Sequence, residues 1–388
     1  MEKRETQIRN TTIKVRLYPT AQQAEFFEKT FGCCRYLWNQ MLADEERFYN
    51  ETDVHFIPTP AKYKKGAPFL KEVDSGALAT VHQNLRKAFQ HFFDNPSVYH
   101  HPVYKKKKNG KSSYTIYCQY YPSGNGSSIY LTQEGIRLPK AGTVRARLYR
   151  KPLHWWKLKT ATVSKSPSGK YFCSLMFEYA VKPPKAVRPT QETTLGLNFS
   201  LSHFYIDSNG HAANPPRWMA QSADKLARMQ QRLARMQVGS QNYQQQLHKL
   251  QLLYEHIANQ RKDFIHKESR RIANAWDAVC VKDTNLVEMS QALKLGSVMD
   301  WGYGKFRVCL QYKLERLGKP YLVVEKYFPS AKTCRHCGSI NDDLPPNVRE
   351  WTCPACGAVL DRSRNGAENL RDQGLVQLYG KREAGMSA

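Results

Sequence analysis

Four cysteines near the carboxyl end have the type and spacing of a metal centre. The pairs Cys334-x-x-Cys337 and Cys353-x-x-Cys356 are separated by 15 residues, and a glycine directly follows each pair. Four thiolates on two facing turns supply tetrahedral sulfur ligation at about 2.3 Å, which suits Zn²⁺ and leaves no position open for a substrate. The pattern therefore predicts a zinc ribbon with one structural Zn²⁺ per chain.

Two disulfides are the alternative chemistry for these cysteines, but they persist only in oxidising compartments. The amino-terminal sequence MEKRETQIRN has no apolar signal core. No apolar run approaches the roughly 18 residues that a membrane span needs. We therefore expect a cytoplasmic, nucleoid-associated bacterial protein without a membrane partner. The remaining cysteines lack ligand spacing and are predicted to be buried thiols: Cys33, Cys34, Cys118, Cys173, Cys280 and Cys309.

The charge balance indicates a polyanionic partner. The chain has 59 Lys plus Arg against 33 Asp plus Glu, a formal net charge of +26, which exceeds what solubility requires. Two basic segments are the candidates for contacts with a nucleic-acid backbone, with a merely solvated surface as the alternative for each residue. They supply Lys105, Lys106, Lys107 and Lys108, and then Arg261, Lys262, Lys267, Arg270 and Arg271.

The first half of the chain predicts a β-rich barrel with a helical insert. Residues 11–18 alternate in polarity like a half-buried strand, and Thr20 opens an amphipathic helix that should run to about Ala43. Residues 70–93 carry one apolar helical face and one polar face. Short strands separated by turn signals follow over residues 114–180.

Prolines near residue 185 predict a linker, and the second half then begins with a hairpin strand pair, LGLNFSLSHFYIDSNG. Over residues 219–271, leucine and methionine recur at heptad spacing on both sides of Gly239 and predict a helical hairpin. The stripe is interpreted as packing.

The cysteine motif lies within a longer pattern, YFPSAKTCRHCG followed by WTCPACGAVLDRSRNGAENL, which resembles the carboxyl end of TnpB proteins, relatives of type V CRISPR effectors. The likeness includes GLNFSLSHFYIDSNG, RKDFIHKES, VKDTNL, TTIKVRLYPTAQQ and FGCCRYLWN, and so covers nearly the whole chain. It implies an α+β multidomain fold. The parts are a wedge β-barrel (1–20 and 113–185), a helical recognition insert (21–112), a RuvC-like domain of RNase H fold (186–330 and 359–388) and the zinc ribbon (331–358).

The resemblance also implies partners: a guide RNA, and double-stranded DNA with a short adjacent motif, bound by one protein chain with its guide. Family members read the adjacent motif with the insert helix. The expected motif-reading residues on its polar face are Thr80, Gln83, Asn84 and Lys87.

RuvC-type nucleases of this family cut DNA with two Mg²⁺ ions held by three carboxylates. The family strand G-[IL]-D-x-[GS] reads GLNFS here, which puts Asn198 at the first acidic position. The strand V-x-V-E-D-x-N reads VCVKDTN, which puts Lys282 at the second. The motif D-R-D-x-N-A-A reads DRSRNGA, which puts Ser363 at the third.

We therefore expect no nuclease activity and no catalytic Mg²⁺, because a unit charge 4 Å away is worth about 4 kcal/mol at an effective dielectric of 20. The chain resembles TldR proteins, nuclease-dead repressors derived from TnpB. Two alternatives stay open. One is an active RNA-guided endonuclease that uses Asp283 or Asp361, although neighbouring residues on a strand face opposite ways. The other is a transposon-associated RNA-binding accessory protein.

Overall fold

The computed structural model describes residues 6–107, 112–121, 126–199, 203–214, 217–284, 302–345 and 348–380. The chain divides into two compact units between Lys182 and Pro183. Among the described residues, none of the helices combines the length and apolar character that crossing a bilayer requires.

The described strands of the first unit form one antiparallel sheet in the order β2-β6-β7-β1-β5-β4-β3. Strand β1 is central and buries alternate residues, including Ile13, Val15 and Leu17, on one face. The strands are β1 (Gln7–Tyr18), β2 (Ser112–Tyr117), β3 (Tyr130–Leu131), β4 (Gly135–Leu138), β5 (Gly142–Arg147), β6 (Lys157–Lys165) and β7 (Tyr171–Val181).

Helices cover the buried face of this sheet. They are α1 (Ala21–Thr52), α2 (Pro60–Tyr63), a 3₁₀ turn (Pro68–Lys71) and α3 (Ser75–Asp94). Thr20 caps α1 with Gln23 in a reciprocal capping box, which confirms the predicted start, but the helix continues past Ala43. The described strands of the predicted barrel form a half-barrel sheet, with β2 and β3 at its two edges. Phe27 and Phe31 of α1 pack on Tyr114 of β2, so α1 covers part of the buried face of the sheet.

The second unit contains a mixed sheet in the order β10-β9-β8-β11-β12, in which β8, β11 and β12 are parallel. Its strands are β8 (Thr194–Asn198), β9 (Tyr205–Asp207), β10 (Ala212–Ala213), β11 (Ala278–Lys282) and β12 (Tyr321–Val324). A separate ribbon consists of β13 (Glu350–Thr352) and β14 (Val359–Asp361). The helices are α4 (Trp218–Gln221), α5 (Ala223–Ala234), α6 (Gln241–Ala275), α7 (Tyr303–Leu317) and α8 (Arg362–Tyr379).

Helices α5 and α6 form the predicted hairpin, with Ser240 capping α6. Leu226, Leu250 and Ile257 are buried between the helices, which confirms that the apolar stripe is packing. The predicted buried thiols are also confirmed, except that Cys118 is only half-buried.

Helices α7 and α8 contact opposite faces of the mixed sheet. Leu197 and Val281 pack in one core with Phe306 of α7. The intervening residues face α8, which approaches so closely that a Cβ on Gly196 would lie 1.9 Å from the Ala367 carbonyl oxygen. A glycine is therefore required at the position two residues before Asn198, and the end of β8 lies beneath α8.

Candidate functional site

The four cysteines predicted to bind metal converge. Their sulfur atoms all lie within 4.8 Å of one another, and the Cys334–Cys356 and Cys337–Cys353 Sγ distances are 3.7 and 3.6 Å. Four sulfurs at 2.3 Å from one tetrahedral ion would be ~3.8 Å apart, so these two distances match the spacing that a Zn²⁺-sized ion requires. Two of the cysteines are buried and two are exposed.

The two cysteine turns have the same backbone design. The amide of Gly338 donates to the Cys334 carbonyl and that of Gly357 donates to the Cys353 carbonyl, both at 2.9 Å. Both glycines have positive φ, of 74° and 73°, which explains the glycine after each pair. Asn365 of α8 joins the first turn to the mixed-sheet unit, because its amide side chain bonds Arg335 N and the Thr333 carbonyl.

Asn198, Lys282 and Ser363, the three residues predicted to stand in place of acidic ones, lie near one another. Strands β8 and β11 are parallel neighbours with Leu197 opposite Val281, so Asn198 and Lys282 extend from the same edge of the sheet toward the same face. Neighbouring strands are about 4.8 Å apart. The Asn198 amide donates to the Ser363 carbonyl at 3.1 Å, at the first turn of α8.

The polar groups at this point bond to backbone carbonyls. The Lys282 ammonium donates to the Phe328 carbonyl at 2.7 Å, and burial lowers the pKa of this side chain below its usual range. An ammonium and an amide donate hydrogen bonds and offer little to a cation. The arrangement joins β8 to α8 and β11 to the segment before the ribbon, and it has no carboxylate at these three positions.

The two acids proposed as substitutes have contacts elsewhere, although Asp283 stays largely exposed. Asp283 follows Lys282, so its side chain faces away from Asn198, and it lies 3.8 Å from the Arg307 guanidinium of α7. Asp361 caps α8, where its Oδ1 accepts from the Arg364 amide at 2.7 Å. Over the part of the chain that the structure describes, the four cysteines are the only group of three or more Cys, His, Asp or Glu with metal-binding proximity.

In the first unit, a cavity of about 720 Å³ brings together the two residue sets predicted there for nucleic-acid contact. Thr80 and Asn84 of α3 line it together with Lys105 and Lys106 of the lysine run. Lys107 is exposed close by, and Lys108 lies outside the described residues. Asn39 fixes the run by bonding both backbone groups of Lys105, at 2.8 and 3.1 Å.

The polar face of α3 differs in one respect from the expectation. Gln83, Asn84 and Lys87 are exposed, but Thr80 is buried and its hydroxyl donates to the Gly76 carbonyl at 2.8 Å. Thr80 therefore forms part of the cavity wall with its donor already used. The sequence reading missed further polar residues of the same lining, namely Arg35, Ser113 and Thr115. Arg35 was detectable as the one charged residue within the FGCCRYLWN segment of α1.

The basic residues of α6 are not equivalent. Lys262 and Arg270 are exposed. Lys267 pairs with Asp263 at 2.7 Å on the surface. Arg271 donates two hydrogen bonds to the Glu268 carboxylate, at 2.7 and 3.1 Å, and one to the Tyr205 hydroxyl. Arg271 therefore stabilises the contact between α6 and β9, and Arg261 is half-buried.

Lys105 gives nucleic-acid binding a testable pH dependence. Its Nζ lies 3.5 Å from the centre of the Trp38 ring, and burial lowers its pKa to about 8. A lysine is charged below its pKa, so this charge is present at neutral pH and lost as the pH rises through 8. Between about pH 7 and 9, the slope of log affinity for duplex DNA against log salt should fall by about one. Lys105→Arg, which does not titrate, should abolish this change; an unaltered change in that variant would contradict the assignment.

Comparison with known proteins agrees with this architecture. The OrfB_IS605 model, described as "Probable transposase", matches residues 176–293, and the Cas12f1-like TNB domain matches 303–370. The helix-turn-helix domain of OrfB_IS605 matches 9–53, which here form most of β1 and all of α1. The structure also matches the protein in a cryo-EM structure of a Cas12f1–sgRNA–target DNA complex. The match covers 94% of this chain and 99% of that protein, with a TM-score of 0.59 at 12% identity. The mixed α+β fold is thus Cas12f-like.

Relatives identify the family. An inferred RNA-guided DNA endonuclease of Streptomyces pristinaespiralis is 30% identical over 372 residues, 94% of this chain and 89% of that protein. The inferred RNA-guided DNA endonuclease InsQ of Escherichia coli K12 is 27% identical over 391 residues, 94% and 92% of the two chains. The chain belongs to the TnpB family.

Proposed function

We propose that this chain is a nuclease-inactive, RNA-guided DNA-binding protein that occupies a promoter-proximal target and represses transcription, as TldR proteins do. The second unit is then a RuvC-like domain that has lost catalysis. The observation that carries the proposal is the convergence of Asn198, Lys282 and Ser363 at one edge of the mixed sheet. The positions are adjacent, as a two-metal site requires, but their side chains are not acidic.

The charge at position 282 supports the proposed loss of nuclease activity. Two Mg²⁺ ions about 4 Å apart need several carboxylate oxygens to hold them and to activate water. Replacing a glutamate by Lys282 changes the local charge by two units, and each unit at 4 Å is worth about 4 kcal/mol at an effective dielectric of 20. A dication would therefore be repelled where catalysis would need it.

Binding does not need the nuclease. In RNA-guided recognition, base pairing reads the sequence, while the protein contacts the adjacent duplex motif and the heteroduplex backbone. The +26 charge and the lysine-lined cavity beside α3 suit these contacts. We assign Gln83, Asn84 and Lys87 to the motif, with Thr80 supporting them from within the wall, and Zn²⁺ to a structural role in the ribbon. A complex of one chain and one guide that opens its target without cutting would remain bound and obstruct RNA polymerase.

An active endonuclease is the second candidate, since two relatives matched over most of their length carry that name. It would need acids in new positions, and the orientation of Asp283 toward α7 and the capping role of Asp361 count against it. An RNA-binding accessory protein that never opens DNA is the third candidate, and its fold would be the same.

Guided occupancy is the test of the proposal. The purified protein should contain a discrete small RNA, and DNA matching that RNA should be footprinted at low nanomolar to micromolar protein with a steep salt dependence. A promoter that carries the match should be silenced in cells, and scrambling the match should restore transcription. A random RNA mixture, or occupancy that ignores the match, would contradict guided binding.

A further inference from the structure

The first unit has a second cavity, distinct from the one at Lys105. The proposed function gives no role to the residues that line it. It has a volume of about 710 Å³ and lies between β2, the β3–β4 hairpin and the start of α3. Tyr117, Tyr121 and Tyr130 line it, and we call it the tyrosine cavity. Its volume is in the range of small-ligand sites.

The three tyrosines present unused aromatic surface. They are 40%, 49% and 49% exposed, and none of the ring contacts found among the described residues involves them. The neighbouring Tyr120 differs, because its hydroxyl donates to the Leu158 carbonyl and Lys157 lies 5.1 Å from its ring. Exposed rings gathered in one concavity indicate a ligand with a flat apolar face.

The charges in the cavity favour an anion attached to that face. Arg137 is directly opposite Tyr130 in the β3–β4 pair and is exposed. The acid in the lining, Asp74, is engaged as the cap of α3, where it accepts from the Ala77 amide at 3.0 Å. Lys140 is also engaged, since its ammonium donates to the Lys71 and Val73 carbonyls at 2.7 and 2.9 Å. These bonds tie the turn after β4 to the segment before α3 and hold the walls in position.

We propose that the tyrosine cavity binds an unpaired nucleotide, with the base stacked on a tyrosine ring and the phosphate at the Arg137 guanidinium. Stacking on aromatic side chains beside basic groups is how proteins hold single strands, and it tolerates any base. A paired base offers no free face because its neighbours in the helix cover it. The inference rests on the proposed function only for the source of the ligand, which is an unpaired part of the guide RNA or of the displaced DNA strand.

Photochemical cross-linking tests the proposal with the full-length protein. The probes are an oligouridylate with a single 4-thiouridine and an oligothymidylate with a single 4-thiothymidine. After irradiation and digestion, mass spectrometry should find the adduct at Tyr117, Tyr121 or Tyr130. If only the oligouridylate gives this adduct, the ligand is RNA. If both probes give it, the cavity accepts single strands of either kind. Each result supports the site.

Affinity supplies the second measurement. The double change Tyr117→Ala with Tyr130→Ala should weaken binding of the oligouridylate about tenfold, and Tyr130→Phe should bind normally because the ring remains. Tyr149→Ala is the matched control, since Tyr149 is 73% exposed in the same unit and does not line the cavity. Thermal unfolding should match the unmodified protein for all three variants.

Two results would overturn the proposal: adducts that form only outside the tyrosine cavity, or a double variant that loses no more affinity than Tyr149→Ala. Neither probe needs to match a guide. The cross-linking result can therefore contradict the cavity proposal while guided occupancy is observed, and guided occupancy can be absent while the adduct forms.

Discussion

Guide-loaded protein should leave both strands of its matched target intact at every Mg²⁺ or Mn²⁺ concentration while it remains bound. The proposed reason is that Asn198, Lys282 and Ser363 stand where family members carry the carboxylates that would hold the ions. A deficit of about 4 kcal/mol per unit charge corresponds to roughly a thousandfold in metal affinity, and Lys282 alone changes the charge by two units. Gel analysis of a labelled plasmid, with footprinting of the same sample, measures cutting and binding together.

Asn198→Asp by itself should not restore cutting, because Lys282 still repels the ions. The matched comparison is Asn198→Asp with Lys282→Met, which removes the ammonium and keeps a side chain of similar length. This pair should bind Mn²⁺ more tightly than Asn198→Asp alone, as measured by calorimetry. The triple change Asn198→Asp, Lys282→Glu and Ser363→Asp is expected to recover at most weak nicking. In the unmodified protein the side chains of Asn198 and Lys282 donate to backbone carbonyls, which would not orient new carboxylates.

Specific, metal-dependent cutting by the unmodified protein would contradict the repressor proposal. Loss of that cutting in Asp283→Ala or Asp361→Ala would identify the acid in use. Asp361→Asn is a useful companion to Asp361→Ala, because an asparagine still caps a helix and separates loss of the cap from loss of the charge.

Removal of one ribbon cysteine should have the largest effect on stability. The purified protein should contain one zinc per chain by elemental analysis, and Cys353→Ser should lose it. Structural zinc contributes about 10–16 kcal/mol of apparent binding free energy in small zinc domains, so the ribbon should unfold locally without the ion. Because Asn365 joins the first cysteine turn to α8, the damage should spread to the helix that covers β8.

Limited proteolysis measures this spread, and new cleavage between about residues 331 and 361 is expected in Cys353→Ser and in chelator-treated protein. Cys118→Ser is the control, because Cys118 is a half-buried thiol of the other unit with no place in the cluster. An unmodified protein free of zinc, yet resistant to protease in this region, would refute the metal assignment.

The sequence by itself determined the local chemistry. Cysteine spacing predicted the cluster, because a Cys-x-x-Cys turn followed by glycine fixes two sulfurs within a few residues, and no distant element is needed. The start of α1 was predictable from Thr20 and Gln23, and the α5–α6 hairpin from its heptad stripe, since both are properties of short segments. The replacement of acidic residues at positions 198, 282 and 363 is what the resemblance to the family motifs implies, and it stays a prediction.

Tertiary structure decided what depends on residues far apart in the chain. Only the parallel pairing of β8 with β11, beneath α8, brings Asn198, Lys282 and Ser363 together. The buried face of the half-barrel shares one core with α1 and α3, and strand periodicity cannot report which elements cover that face. Thr80 was predicted to be a surface donor because helical periodicity gives the face of the helix but not how deeply a residue is buried. In the structure its hydroxyl donates to the Gly76 carbonyl. The tyrosine cavity arises for the same reason. Pairing of β3 with β4 places Tyr130 beside Arg137, and the tertiary fold brings them to Tyr117 at the other edge of the sheet.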